Sequence, residues 1–287
     1  MTTPSRPQDL VFTLFGDYLL HRQGAVWVGS LIALLRPLGL SPEATRTVLS
    51  RMGRKGWLDT RRVGKRSYYF LTDQGRRLLE EGEARIYHPP TGERWDGLWY
   101  LVAYSIPEER RALRDRLRLR LQWLGFGQLG NGLWISPHRL RGEIDELARG
   151  LGIADHLEVF RAQYQGFAST AHLVAQAWDL PALDERYAAF LARHEPAHAG
   201  AAARLSEGRL SPEEAYVRRF RLTHEYREFP LLDPYLPREL LPPGWHGHRA
   251  AALFDEYHRL LGPRTEEFVR SVLEVAPAVG EPQARSA

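Results

Sequence analysis

The chain has 287 residues, no cysteine and a formal net charge of +4. That length suits two or three domains, and the missing cysteine excludes disulfides, thiolate catalysis and cysteine-held zinc. Mean hydropathy is −0.40 and charge interrupts every apolar run, so nothing approaches the roughly 18 consecutive apolar residues of a membrane span. With no apolar export segment after Met1, a cytoplasmic protein without a membrane partner is expected. The charge is uneven: Met1–His88 has a surplus of six cations, while the remainder is net −2. That asymmetry directs the first third toward a polyanion such as nucleic acid.

Apolar residues at Leu10, Val11, Leu14, Phe15, Tyr18 and Leu19 recur with the helical period and predict a helix from Asp9 to His21. After Gly24, Ala25–Val28 reads as a short strand, and Ser30 as the cap of a helix over Leu31–Leu38. Ser41-Pro42-Glu43 is a helix start with an N-cap, proline at the first position and an acid in the first turn. That helix runs to about Lys55, closed by Gly56. Extended runs Trp57–Arg61 and Arg66–Leu71 flank the turn Arg62-Val63-Gly64-Lys65, and Thr72-Asp73 caps a helix toward Ile86. Helix, strand, helix, helix, hairpin, helix is the layout of a winged helix-turn-helix, assigned to residues 1–87.

His88-Pro89-Pro90-Thr91-Gly92-Glu93 reads as a linker. Strand Leu98–Ser105, helix Pro107–Leu124, strands Phe126–Leu129 and Gly132–Ser136, helix Pro137–Leu151 and strand Leu157–Tyr164 follow. Their β-α-β-β-α-β order is that of a ferredoxin-like domain, residues 95–176. Residues 177–287 read as a helical domain with helices over Ala182–His194, Pro212–Glu228 and Arg249–Val272. Pro196–Ala203 is expected as a loop and the chain from Ala276 as a frayed end. The fold class is α+β.

The stretch Pro42–Lys55 is the most informative. At 100° per residue Ala44, Val48, Leu49 and Met52 share one arc, while Arg46, Ser50 and Arg54 lie opposite, flanked by Thr47 and Arg51. Arginine makes bidentate contacts to guanine edges, and Ser and Thr bond bases or phosphates. Arg61, Arg62, Lys65 and Arg66 add cations around the glycine turn. Together with the cap Ser41, these ten residues form the candidate surface for double-stranded DNA.

Farther along, Arg110, Arg111, Arg114, Arg116, Arg118 and Arg120 crowd one helix, as a solvated face or a second phosphate contact. His224-Glu225-Tyr226-Arg227-Glu228 lacks the second His of a His-Glu-x-x-His zinc helix. With Arg218, Arg219 and Trp245, the residues His224, Tyr226 and Arg227 are candidates for an acidic-ligand pocket; a buried polar network is the competing reading.

Leu14-Phe15-Gly16-Asp17-Tyr18, His21-Arg22 and Trp27-Val28-Gly29-Ser30-Leu31 closely resemble the opening of the PaaX family of bacterial transcriptional repressors. Thr45-Arg46-Thr47, Leu49-Ser50-Arg51, Gly56-Trp57-Leu58 and Gly64-Lys65-Arg66-Ser67-Tyr68-Tyr69 continue the match. So do Trp95-Asp96-Gly97, Gly125-Phe126-Gly127, Trp134-Ile135-Ser136-Pro137, Asp233-Pro234-Tyr235-Leu236-Pro237, Leu240-Leu241-Pro242 and Trp245-His246-Gly247-His248. The resemblance implies a homodimeric repressor of phenylacetate-degradation genes, with a dimerising middle domain and a C-terminal domain that binds an acyl-CoA effector, phenylacetyl-CoA, which releases it from its operator.

The middle domain's order is also similar to that of the Cas2 nucleases, whose first strand ends in a metal-associated Asp. Here that strand ends Val102-Ala103-Tyr104-Ser105-Ile106, without the hard oxygen ligand that divalent-metal phosphodiester chemistry needs. No catalytic residue, metal site or cofactor is expected. A Cas2-like metal-dependent nuclease and a non-specific DNA-associated structural protein stand as alternatives.

Overall fold

Val11, Leu14, Phe15, Tyr18 and Leu19 are all buried along one side of a helix. In the structure, a computed structural model that describes residues 6–88 and 94–276, this is α1 (Pro7–Leu14) continued by a π-helical stretch, Phe15–Leu19. A short strand β1 (Ala25–Trp27) leads directly into α2 (Val28–Leu35). Ser30 is therefore not the cap expected from the sequence: it lies inside α2, fully buried. Its hydroxyl accepts the N–H of Glu274 at 2.8 Å.

Then come α3 (Pro42–Arg54), the hairpin strands β2 (Leu58–Val63) and β3 (Arg66–Leu71), and α4 (Asp73–Tyr87). The turn is tighter than expected because β2 extends to Val63, leaving Gly64 and Lys65 as its two central residues, with Gly64 at φ +60°. Glycine holds that backbone without a Cβ penalty, as two-residue hairpin turns require.

The second segment begins with β4 (Trp99–Tyr104), α5 (Arg111–Trp123), β5 (Gly127–Gly130) and β6 (Leu133–Ser136). It continues through α6 (Arg141–Leu151) and β7 (Leu157–Ala162). The sheet order is β5-β6-β4-β7 with every neighbouring pair antiparallel. Alternation serves both faces: Val102 and Trp134 pack with Leu117, Leu121 and Ile144 of α5 and α6. Trp99 and Ile135 pack on the other side with Leu173 and Val174 of α7 (Thr170–Ala177). The sequence reading starts α6 too early, at Pro137, and has no counterpart of α7, whose cap Ser169 bonds His172 N at 3.2 Å.

Three further helices follow: α8 (Leu180–Ser206), α9 (Pro212–Tyr226) and α10 (Gly247–Val272). The loop expected over Pro196–Ala203 is instead helical, inside α8. An interior proline costs roughly 3 kcal/mol. Burial of Phe190, Leu191, His194 and Ala201 and the 2.9 Å bond from His194 to Glu225 of α9 offset that cost. The expected frayed end is ordered at its start, where Val275–Ala276 forms β8 against β1. The rest of that expectation (277–287), and the linker over 89–93, lie outside the described residues.

Contacts divide the chain into two compact units: Met1–His88 with Ala192–Arg227 and Ala251–Ala287, and Pro89–Leu191 with Glu228–Ala250. The sequence reading treats residues 177–287 as one helical domain; by contacts they are shared between the units. In the first unit the core of α1, α2 and α3 is completed by Tyr216 and Phe220 of α9 and Val269 of α10. The Tyr216 hydroxyl donates to Leu34 O at 2.9 Å. Among the described residues, no helix is long and apolar enough to cross a membrane.

Candidate nucleic-acid interface

Helix α3 forms where the sequence places it because its first turn is satisfied locally. The Ser41 hydroxyl accepts the N–H of Ala44 at 3.1 Å, and Pro42 presets the first helical residue. The neighbouring Glu43 carboxyl is held below its ordinary value by its own backbone N–H, then by Ser41 and Arg46, an acid favoured at a helix N-terminus. Thr45, Val48, Leu49 and Met52 are buried, with Ala44 half-buried beside them.

The opposite side is open: Arg46, Thr47, Ser50, Arg51 and Arg54 are all exposed. None of the three arginines has a carboxylate within ion-pairing distance among the described residues. An exposed helix face with free guanidinium and hydroxyl donors is suited to base edges and phosphates.

The hairpin cations do not share one face. Register pairs Arg62 with Ser67 and Thr60 with Tyr69, whereas Arg61 faces Tyr68 and Val63 faces Arg66. With side chains alternating, Arg62 lies with Tyr69, and Arg61 and Arg66 lie on the other side. Tyr69 is near α3: burial raises its pKa and the Arg46 charge lowers it. Arg62 and the tip residue Lys65 are exposed, with Arg62 Nε donating to Gly64 O at 3.3 Å. Arg61 is half-buried. Arg66 is ion-paired with Glu274 and sits over the Trp27 ring, 4.7 Å from its centroid. The sequence reading missed Trp27 and Glu274 as partners of the hairpin; a two-residue strand near the end of the chain has no period to reveal it.

Five of the six candidate ligand residues are engaged by partners within the first unit. Arg218 pairs with Glu214 at 2.8 Å, Arg219 with Asp17 at 3.7 Å and Arg227 with Asp9 at 3.8 Å. His224 Nδ1 lies 2.8 Å from the Thr13 hydroxyl, and Tyr226 stacks on Phe254 with centroids 4.0 Å apart. Trp245 belongs to the other unit, in edge contact with Tyr187 at 5.6 Å. The polar-network reading thus describes this part of α9, and its partners come from α1 and the π-helical stretch.

At the centre is Asp17, whose carboxylate accepts the Tyr87 hydroxyl at 2.6 Å and the Thr223 hydroxyl at 3.3 Å, with His258 Nε2 at 3.2 Å. Burial works to raise its pKa, but the His258 bond, the Arg219 charge and the Tyr87 hydroxyl outweigh it and hold it below the ordinary value.

In the second unit, Arg111, Arg116 and Arg120 of α5 are exposed and Arg114 and Arg118 half-buried, over buried Leu117 and Leu121, with Arg114 paired to Glu108 at 2.9 Å. The end of β4 is Tyr104, without a carboxylate. At the other end of the strand, Asp96 is bound by Arg161 at 2.8 Å and Arg139 at 3.0 Å, which with the Leu98 N–H brings its pKa to about 2. Among the described residues no three His, Asp or Glu side chains converge to hold a metal ion.

Comparison with known proteins accounts for nearly the whole chain. The family described as PaaX-like protein matches residues 6–75, the PaaX protein central Cas2-like domain residues 92–174, and the PaaX-like protein C-terminal domain residues 178–271. The transcriptional repressor PaaX of Escherichia coli (strain K12) is 36% identical over 281 residues, 97% of this chain and 87% of that protein. Among solved structures, the uncharacterized protein Rv0674 from Mycobacterium tuberculosis has the same fold, with a TM-score of 0.58 at 22% identity, covering 91% of this chain and 97% of that one. On three successive family matches and this relative, the chain belongs to the PaaX family.

Proposed function

We propose that this chain is a DNA-binding transcriptional repressor whose first 88 residues act as a winged helix-turn-helix. The observation that carries the reading is the face of α3, where Arg46, Thr47, Ser50, Arg51 and Arg54 stand exposed and, among the described residues, no carboxylate lies within ion-pairing distance of the three guanidinium groups. Helix α3 enters the major groove with its Ser41-capped end toward the bases, and Arg62 and Lys65 of the hairpin meet the phosphates. Membership of a family with a transcriptional repressor among its relatives supports the same reading.

The middle β-α-β-β-α-β unit, ferredoxin-like in its strand order, serves as the dimerisation scaffold. A twofold dimer sets the two heads roughly 34–36 Å apart, or a multiple of that, on an inverted repeat. The regulated genes are those of phenylacetate degradation and the releasing effector is phenylacetyl-CoA, as the family resemblance implies. To carry the operator-bound fraction from 99:1 to 1:99, that effector must prefer the released form by about 5.5 kcal/mol.

The nuclease alternative has less support, since β4 ends in Tyr104, and Asp96, before the start of the strand, is held by two arginines. Fluorescence anisotropy on an operator duplex and a scrambled duplex tests the main reading. Tight binding to the operator alone is expected, and equal affinity for both overturns specific repression. Titration with phenylacetyl-CoA, phenylacetate and acetyl-CoA tests the effector: only the first is expected to release DNA.

A further inference from the structure

The head's sheet has the order β2-β3-β1-β8, so its outer strand comes from the far end of the chain. Val275 and Ala276 pair with Val26 and Ala25. Gly24, at φ +96°, admits the strand closely: a Cβ there would lie 2.5 Å from Ala276 O. Just before the strand, Glu274 is fixed through its backbone. Its N–H donates to Ser30 Oγ at 2.8 Å and its carbonyl accepts the N–H of Trp27 at 3.0 Å.

Its side chain then reaches the hairpin. Oε1 accepts from Arg66 Nη1 and from the Tyr68 hydroxyl at 3.1 Å. The Arg66 guanidinium lies over Trp27. Backbone pairing of β3 to β1 stops at Trp27↔Tyr68, so Ser67, Arg66 and the turn project past the sheet with only β2 beside them. The Arg66–Glu274 pair is the tie across that projection, anchored where the backbone cannot drift.

We propose that Glu274 and β8 form a strap that braces the hairpin, making Glu274 a positioning residue for the DNA contacts of Arg62 and Lys65. This rests on the DNA-binding reading above and adds a route for its control. The strap begins two residues after α10, a helix whose first turn, Gly247–Ala250, is counted in the second unit. A shift of α10 that withdraws Glu274 frees the hairpin, which then pays an ordering cost on meeting phosphate.

The sign of the effect separates this from simple electrostatics. Deleting an acid beside a DNA-binding surface strengthens binding through charge alone; losing the brace weakens it. Glu274→Ala is expected to weaken operator binding about three- to tenfold and to lower the salt slope by about one. The preference for operator over scrambled duplex, set by α3, stays unchanged. Glu274→Gln, which keeps an acceptor for Arg66 and Tyr68, is expected to recover most of the affinity. Arg66→Ala loses the same brace and a cation besides, so it should weaken binding at least as much as Glu274→Ala, and the double variant should be no worse than Arg66→Ala.

Hydrogen exchange on the free full-length protein gives a readout independent of DNA: Glu274→Ala should speed exchange in residues 58–71 and leave α3 protected. Unchanged or tighter operator binding by Glu274→Ala, or unchanged exchange in the hairpin, overturns the strap. Failure of the wild-type protein to prefer operator DNA overturns the repressor reading instead, while the exchange comparison still decides whether Glu274 braces the hairpin.

Discussion

Helices α3 and α9 are both rich in arginine, and both stand out in the sequence as places to receive an anion. On α3 the guanidinium groups of Arg46, Arg51 and Arg54 have no carboxylate within ion-pairing distance among the described residues. On and just after α9 three of the corresponding charges are consumed: Glu214 holds Arg218, Asp17 lies against Arg219 and Asp9 against Arg227, while Arg221 stays exposed. A cation is available to a ligand only when the folded chain has not supplied its own anion. Two of those anions, Asp9 and Asp17, lie some two hundred residues away in sequence, so local spacing on α9 cannot reveal them.

The comparison breaks most visibly at Asp17. Removing its carboxylate leaves the half-buried Arg219 charge beside Tyr18 and three donors without their acceptor. Breaking one half of a buried pair typically costs about 3–5 kcal/mol. Asp17→Ala is therefore expected to lower the unfolding free energy by about that much, read from urea melts. A loss under about 1 kcal/mol would mean that the α9 network is as dispensable as a surface pair.

The opposite behaviour is expected on α3. Arg46→Ala or Arg51→Ala should leave stability within about 0.5 kcal/mol. Each should cost roughly 1–3 kcal/mol of operator binding and relax base preference where that side chain reads a base. Loss of stability matching the loss of binding would place these arginines in the structural class with Arg219. Arg62→Ala and Lys65→Ala should weaken operator and scrambled duplexes alike and lower the salt slope by about one. A sequence-selective effect would move them from phosphate contact to base contact.

The contrast also explains what was legible beforehand. Ser41-Pro42-Glu43, the turn at Gly64 and the alternating strands of the middle domain are short-range signals, and the elements they predict are present within a few residues. The exposed face of α3 follows from the helical period alone. Pro196 misled because local propensity weighs a proline heavily, while the packing of Phe190, His194 and Ala201 cannot be seen locally. Ser30 misled because a serine beside an apolar run resembles a cap until a distant N–H, that of Glu274, is brought to it. Of the α9 network the family resemblance quotes Asp17 and Tyr18, and gives no sign that they face α9.

A smaller effect sharpens the comparison at His224, which the sequence offers as a ligand contact and the structure places against Thr13. Burial and then the Arg227 charge lower its pKa from 6.5 to about 4, against the opposing pull of Asp9 and Glu225. The folded protein thus keeps the ring neutral where the unfolded chain protonates it. By linkage, this histidine's contribution is complete above pH 6.5 and is lost as pH falls toward 4. The ring is half-buried, so solvent screening reduces the effect to on the order of 1 kcal/mol over the window. His224→Asn places an amide near the Nδ1 position without a titrating group, so the variant should lose stability less steeply than wild type between pH 7 and 4.5. Parallel slopes for the two proteins would show that the ring titrates as it does in water, and that this end of α9 is open enough to admit a ligand after all.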